Sequence, residues 1–282
     1  MKYNFRTDLK YVDINGHKLH IFRAGDGRKP KLVFMSGSGT AAPMYVFKIL
    51  YEKLIGDFRI IVIEKFGYGY SDLYEGSCKI DDVIAYQRKA LESAGEKPPY
   101  VLLPHSMSGL EAIRWKQLYP EDVAAIIGLD MATPITYMEW SDSEIKKRIG
   151  LMKKFQKLNR LGLLFWYPLS RRGLDKNECR ELKLLKKRNL MNDCYINEAR
   201  AVQANAKVTA SSEMPRCPML MFVSDGKQVS ANWRENERKY AAGVGAETVF
   251  LDCGHYIHYF ESERISTKIR EFISKKELFK DT

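Results

Sequence analysis

Residues 11–22, YVDINGHKLHIF, alternate apolar and polar positions on either side of Asn15-Gly16. A period of two puts one face of an extended chain against a core. Asn-Gly between two such runs predicts a hairpin closed by a two-residue turn. Residues 31–35 form a short apolar run that ends in Ser36-Gly37-Ser38-Gly39-Thr40, so a strand should deliver a loop of small residues there. Residues 59–63, RIIVI, carry the β-branched character of a strand buried on both faces. Further strands are expected at 100–103, 123–129, 219–223 and 248–251, and helical spacing at 43–54, 80–94, 107–119, 229–242 and 263–276. Strands that alternate with helices imply a mostly parallel sheet covered on both faces.

The pattern breaks between residues 133 and 214. Strand runs vanish there, and helix-forming residues with basic faces replace them. This divides the chain into a core of residues 1–132 and 215–282 and an inserted helical cap, or lid, of residues 133–214. An insertion at that point would cover the C-terminal ends of the strands, where open α/β sheets bind ligands. Its longest apolar stretch runs from Leu161 through Gly162, Leu163, Leu164, Phe165, Trp166, Tyr167 and Pro168 to Leu169. That stretch could pack the lid onto the sheet, line an acyl pocket, or touch a membrane surface with its basic flanks.

Composition changes this picture little. The 282 residues are 45% hydrophobic and 29% charged, enough for one large core with an insertion. The first twenty residues are too polar for a signal-peptide core, and no run approaches the ~18 apolar residues of a membrane span. A cytoplasmic location without stable membrane anchoring is the expectation. The five cysteines form no C-x-x-C pair, so buried reduced thiols are expected and neither a zinc site nor any cofactor. The net charge is +11, and residues 136–212 supply most of it, with 17 Lys and Arg against 8 Asp and Glu. A solvated helical face accounts for that excess. No stacking motif or nucleic-acid module accompanies it, so the expected partner is a small-molecule substrate and not a nucleic acid. Oligomeric state is not legible.

Candidate chemistry sits at the turns. Pro104-His105-Ser106-Met107-Ser108-Gly109 lies between an expected strand and helix. It resembles the nucleophile elbow of the α/β-hydrolases, G-x-S-x-G, with Pro104 and Ser108 in place of the two glycines. The resemblance extends over nearly the whole chain. It implies an eight-stranded, mostly parallel α/β-hydrolase sheet with helices on both faces, plus the helical cap. It also implies that Ser106 is the nucleophile and that His255, after Gly254 and the last expected strand, is the general base. His258, three residues on, is the competing histidine. The acid is either Asp130, after the strand at 123–129, or Asp225, after the strand at 219–223. The resemblance gives the oxyanion hole to the backbone N–H groups of Ser38 and Met107. Glu64 through Asp72 resembles the family's glycine-punctuated turn. His105 should pack beside the elbow, and His17 and His20 should lie on the surface.

The implied activity is that of a serine hydrolase working through an acyl-enzyme, on a small carboxylic ester first of all. Amide, thioester and carbon–carbon bond hydrolysis use the same machinery. A non-catalytic ligand- or partner-binding protein on the same fold is the alternative from a different class. Aspartate is the nucleophile in epoxide hydrolases and haloalkane dehalogenases of this fold, and a serine at 106 argues against that chemistry.

Overall fold

A computed structural model describes residues 9–164 and 170–279. Asn15 and Gly16 both take positive φ, 55° and 81°, and reverse the chain in two residues. The turn joins β1 (Tyr11–Ile14) to β2 (His17–Ala24) in register, Ile14 facing His17. The chain then alternates. β3 (Lys31–Met35) leads to α1 (Pro43–Val46) and α2 (Lys48–Tyr51), and β4 (Arg59–Glu64) to α3 (Ile80–Ser93). β5 (Tyr100–Ser106) feeds α4 (Ser108–Leu118), and β6 (Val123–Met131) follows. Among the described residues four helices come next: α5 (Pro134–Met138), α6 (Asp142–Arg160), α7 (Lys176–Asn189) and α8 (Asp193–Ala210). β7 (Met219–Val223), α9 (Trp233–Val244), β8 (Glu247–Phe250) and α10 (Ser262–Lys275) complete the order.

The sheet of the described residues has eight strands in the order β1-β2-β4-β3-β5-β6-β7-β8. The first two pairings are antiparallel and the remaining five parallel. Successive residues of the central strands feed two cores. Val33, Ile61 and Leu102 pack with Leu91 of α3, Trp115 of α4 and Tyr240 of α9. Leu32, Ile60 and Leu103 pack on the other face with Leu50 of α2 and Ile269 and Phe272 of α10. Burial on both faces is why these strands read as unbroken apolar runs and not as alternation.

Three expectations shift. Residues 43–54 do not form one helix; α1 and α2 are separated at Phe47, which is fully buried. β5 and β6 outlast their apolar runs, so Ser106 and Asp130 lie within the strands. His20 is not on the surface. It is buried, with Nδ1 2.9 Å from Glu64 Oε2 across the β2–β4 pair. Glu64 is itself fully buried and accepts the backbone N–H groups of Met44 and Tyr70. Burial pushes its carboxyl upward, but the His20 contact and these amides outweigh it and hold it below the ordinary range. His17 is half-buried against the rings of Phe66 and Tyr74. The five thiols are free; Cys194 is buried and the other four are half-buried.

The helical insertion is fastened to the turn after β4. Lys65 is almost wholly buried, with Nζ 2.7 Å from Glu111 Oε1 on α4 and 2.8 Å from Glu198 Oε1 on α8. Gln87 donates to the second oxygen of Glu111, and the Tyr68 hydroxyl to the second oxygen of Glu198. Asn189 and Asn192 donate to the carbonyls of Gly69 and Gly67 in the same turn. By contrast α6 has no fully buried residue, and Lys146, Lys147, Lys153, Lys154 and Lys157 on it are exposed. In the apolar stretch after it, Leu164 is buried while Leu161 and Leu163 are exposed; residues 165–169 lie outside the described residues. No helix among the described residues is long and apolar enough to cross a membrane.

Removing the cation of a buried ion triad leaves two carboxylates facing each other without compensation. Lys65→Met should therefore lower the unfolding free energy by about 3–5 kcal/mol, read by urea denaturation. Adding Glu198→Gln should restore part of the loss. Equal stability of Lys65→Met and the parent would contradict this account.

Candidate active site

Ser106 ends β5 with φ 55°, and Met107 turns at once into the first residues of α4. A left-handed conformation at a residue with a Cβ costs roughly 1–2 kcal/mol, so its surroundings must hold it. The Ser106 carbonyl accepts the Ala132 N–H at 2.8 Å. Ser108 Oγ accepts the His105 N–H at 3.0 Å and lies 2.8 Å from the Met35 carbonyl oxygen. The hydroxyl at the position of the family's second glycine thus braces the elbow. Close approach is provided by two other glycines. A Cβ on Gly37 would fall 2.4 Å from Ser106 Cβ, and one on Gly109 would fall 2.1 Å from the Ala132 carbonyl oxygen. Pro104 lies next to the point where the β5–β6 register shifts, and it faces Met35 in the β3–β5 pair.

Asp130 lies on the neighbouring strand, fully buried and also left-handed, with φ 52°. Its Oδ1 accepts the Ser224 N–H at 2.7 Å and the Trp233 Nε1–H at 2.8 Å. Its Oδ2 lies 2.5 Å from His255 Nδ1. Asp225 is employed differently. Its carboxylate accepts the Lys227 N–H at 3.0 Å, and its own N–H donates to the Cys253 carbonyl, so it shapes the loop after β7. The loop carrying His255 is held by Gln228, whose Oε1 accepts the His255 N–H at 3.0 Å.

The other two histidines of the cluster have no carboxylate partner among the described residues. His105 packs beside the elbow as expected, its ring 4.6 Å from the His255 ring and its Nε2 3.2 Å from the His255 carbonyl oxygen. His258 is fully buried among Phe47, His105 and Tyr259, and neither ring nitrogen has a hydrogen-bond partner among the described residues. Burial, and then the neighbouring His255, drive its pKa down to about 3. Sequence reasoning did not find Trp233, Ser224 or Gln228, whose roles depend on contacts across 27 to 103 residues of chain. It also missed Glu237 on α9. Its Oε1 accepts from Thr133 and Thr136, and burial, followed by the charge of Asp130, raises its carboxyl well above the ordinary range.

Ser38 and Met107 border a cavity of about 250 Å³. Tyr137, Trp140, Ile145, Met152 and Val202 form most of its wall, so the helical insertion supplies one side of it.

A serine at a left-handed strand–helix turn, beside a sheet of this order and an Asp–His pair on the following strands and loops, defines the α/β-hydrolase class of architecture. No family model matches the chain. It is 32% identical over 279 residues to the uncharacterized protein YbdG of Bacillus subtilis (strain 168), covering 94% of this chain and 85% of YbdG. A carboxylesterase structure from the ammonia-oxidizing thaumarchaeon Nitrososphaera gargenis superposes with a TM-score of 0.70 at 14% identity, over 97% of this chain and 100% of the other. The haloalkane dehalogenase DbeA from Bradyrhizobium elkani USDA94 gives 0.67 at 16% identity, over 96% and 98%. These two solved structures share the fold. The chain belongs to one family with YbdG and has the α/β-hydrolase fold.

His258 carries a testable consequence. An unfolded chain protonates its histidines near pH 6.5, whereas His258 stays neutral in the folded state down to about pH 3. The unfolded state therefore binds the extra proton, and stability is lost as pH falls below about 6.5. His258→Phe should flatten the fall in unfolding free energy between pH 7 and pH 5, by up to about 1.4 kcal/mol per pH unit. An equally steep profile in the variant would refute the assignment.

Proposed function

We propose that this protein is a serine hydrolase that acts through an acyl-enzyme intermediate on a small carboxylic ester. Residues 1–132 and 215–282 form its catalytic core, and residues 133–214 form a cap over the site. The observation that carries the reading is the 2.5 Å contact between His255 Nδ1 and the buried Asp130 carboxylate, beside a serine at φ 55°. A carboxylate on Nδ1 fixes the tautomer that leaves Nε2 free to accept a proton. Ser106 Oγ attacks the ester carbonyl and passes its proton to His255 Nε2. The backbone N–H groups of Met107 and Ser38 stabilise the oxyanion. His255 then protonates the leaving alkoxide, and water, deprotonated by the same imidazole, releases the acid.

Asp130 is the acid in this reading, because its two oxygens meet the imidazole and two further donors, while the Asp225 carboxylate is used within its own loop. A serine at the elbow also speaks against an aspartyl-ester mechanism. The same groups could serve a thioester or an amide.

A fluorophosphonate probe should label the parent protein and leave Ser106→Ala unlabelled. Folded parent that resists the probe would favour a ligand-binding protein on this fold. Asp130→Asn should lower kcat for a short acyl ester roughly 10⁴-fold, and Asp225→Asn should change it far less. The reverse order would move the acid to the later loop.

A further inference from the structure

We propose that Arg148 is the anion-binding end of the substrate cavity, so that the esters taken by this site carry a carboxylate one short apolar chain away from the scissile carbonyl. This rests on the hydrolase reading and names the substrate class within it.

α6 is the most cationic helix of the insertion, yet its cations are not equivalent. Ile145, Arg148, Met152 and Phe155 are spaced by three, four and three residues, which puts them on one side of a helix. Ile145, Met152 and Phe155 are half-buried, and this side meets the cavity. Lys146, Lys153 and Lys157 fall on the far side, exposed to solvent. Arg148 stands at the exposed rim of the half-buried side. It lines the same cavity as Ser38 and Met107, and it is the one charged residue that does so among the described residues.

Its guanidinium carbon lies over Trp140, 4.0 Å from the ring centroid, and Trp140 lines the cavity too. Among the described residues no carboxylate lies within ion-pair distance of it, unlike Arg88, Arg114, Arg234 and Arg270. Glu144, one turn earlier, feels the Arg148 charge from beyond ion-pair distance, while its Oε2 accepts the Ser141 N–H at 2.7 Å and the Ser141 hydroxyl at 2.8 Å in the cap of the helix. A cation–π contact uses none of the guanidinium N–H groups, and their fork suits a bidentate carboxylate. The wall between it and the elbow is apolar. At about 30 Å³ per small group, 250 Å³ holds roughly eight non-hydrogen atoms. That is the chain of an adipate half-ester from its scissile carbonyl carbon to its carboxylate, the ester oxygens and the methyl group lying outside the count.

The test compares monomethyl adipate with methyl hexanoate, which matches it in length without the charge. The parent enzyme should favour the half-ester in kcat/KM by roughly tenfold or more, with the gain in KM. Arg148→Gln should bring the ratio to about one, Arg148→Lys should keep part of it, and Lys153→Gln on the outer side should leave it unchanged. A parent ratio near one, or a ratio that survives Arg148→Gln, overturns the proposal. Calorimetric titration of Ser106→Ala with monomethyl adipate reads the anion site without chemistry. Binding that Arg148→Gln abolishes supports the site even if Ser106 proves inert, which would sink the hydrolase reading alone. Absence of binding, or binding indifferent to Arg148, overturns the proposal whatever Ser106 does.

Discussion

One buried carboxylate organises the open end of the sheet. Asp130 is inaccessible to solvent and sits in a backbone conformation that a residue with a Cβ seldom adopts. An anion there would be strongly destabilising without donors. It has three: the Ser224 N–H after β7, the Trp233 indole of α9 and the His255 imidazole after β8. These donors come from segments about 90 to 125 residues further along the chain. Forming the charge's solvation shell therefore requires the ends of β6, β7 and β8 to be in their final places together. The left-handed turns at Ser106 and Asp130 lie side by side, tied by the Ser106 carbonyl to the Ala132 N–H. Strain at the two positions is held by the same short stretch of ladder.

The helical insertion depends on a second buried charge, of opposite sign. Lys65 draws Glu111 of the core and Glu198 of the insertion onto one ammonium. Burial, the first influence on Glu198, raises its carboxyl despite that cation. α7 and α8 are further held by asparagine side chains on the backbone of the turn after β4. α6 has no such bond to that turn among the described residues: its Asn159 donates to the carbonyls of Lys187 and Leu190 within the insertion, and the helix rests half-buried over the cavity. The insertion is thus unequal in its attachment. Its fastened part lies over the β4 turn, and its loosely packed part forms a wall of the cavity. Few buried contacts is the structural condition for local opening at low free-energy cost.

The strands were legible because burial on both faces writes itself as consecutive apolar residues, and the hairpin because Asn-Gly is among the few pairs that favour its turn. What escaped was decided by polar groups that find partners far away in sequence. β5 and β6 run on to Ser106 and Met131, although the apolar run of β6 ends at Leu129. The carboxylate there is satisfied by later segments, which no local pattern records. His20 looked like a surface residue because its partner, Glu64, is 44 positions away. Lys65 carries no local sign of its burial for the same reason, since Glu111 and Glu198 lie far along the chain. Of the two aspartates that sequence order allowed near the imidazole, only contacts could separate Asp130 from Asp225, since both follow the apolar part of a strand. Arg148 was hidden in another way. It is one cation among many on a basic segment, and only its side of α6 sets it apart.

The departures at the elbow show what the glycines of such a motif are for. The requirement is space between a strand, a helix and a neighbouring loop, and not glycine at fixed offsets from the serine. In this chain Gly37 supplies the space on the loop side and Gly109 the space against β6, where any Cβ would collide with Ser106 or with the Ala132 carbonyl. Ser108 is then free to carry a hydroxyl, and it uses it to join the His105 N–H to the edge of β3. A side chain that crosslinks the elbow replaces conformational freedom with a bond. The turn keeps its shape because its neighbours are too close to let it relax.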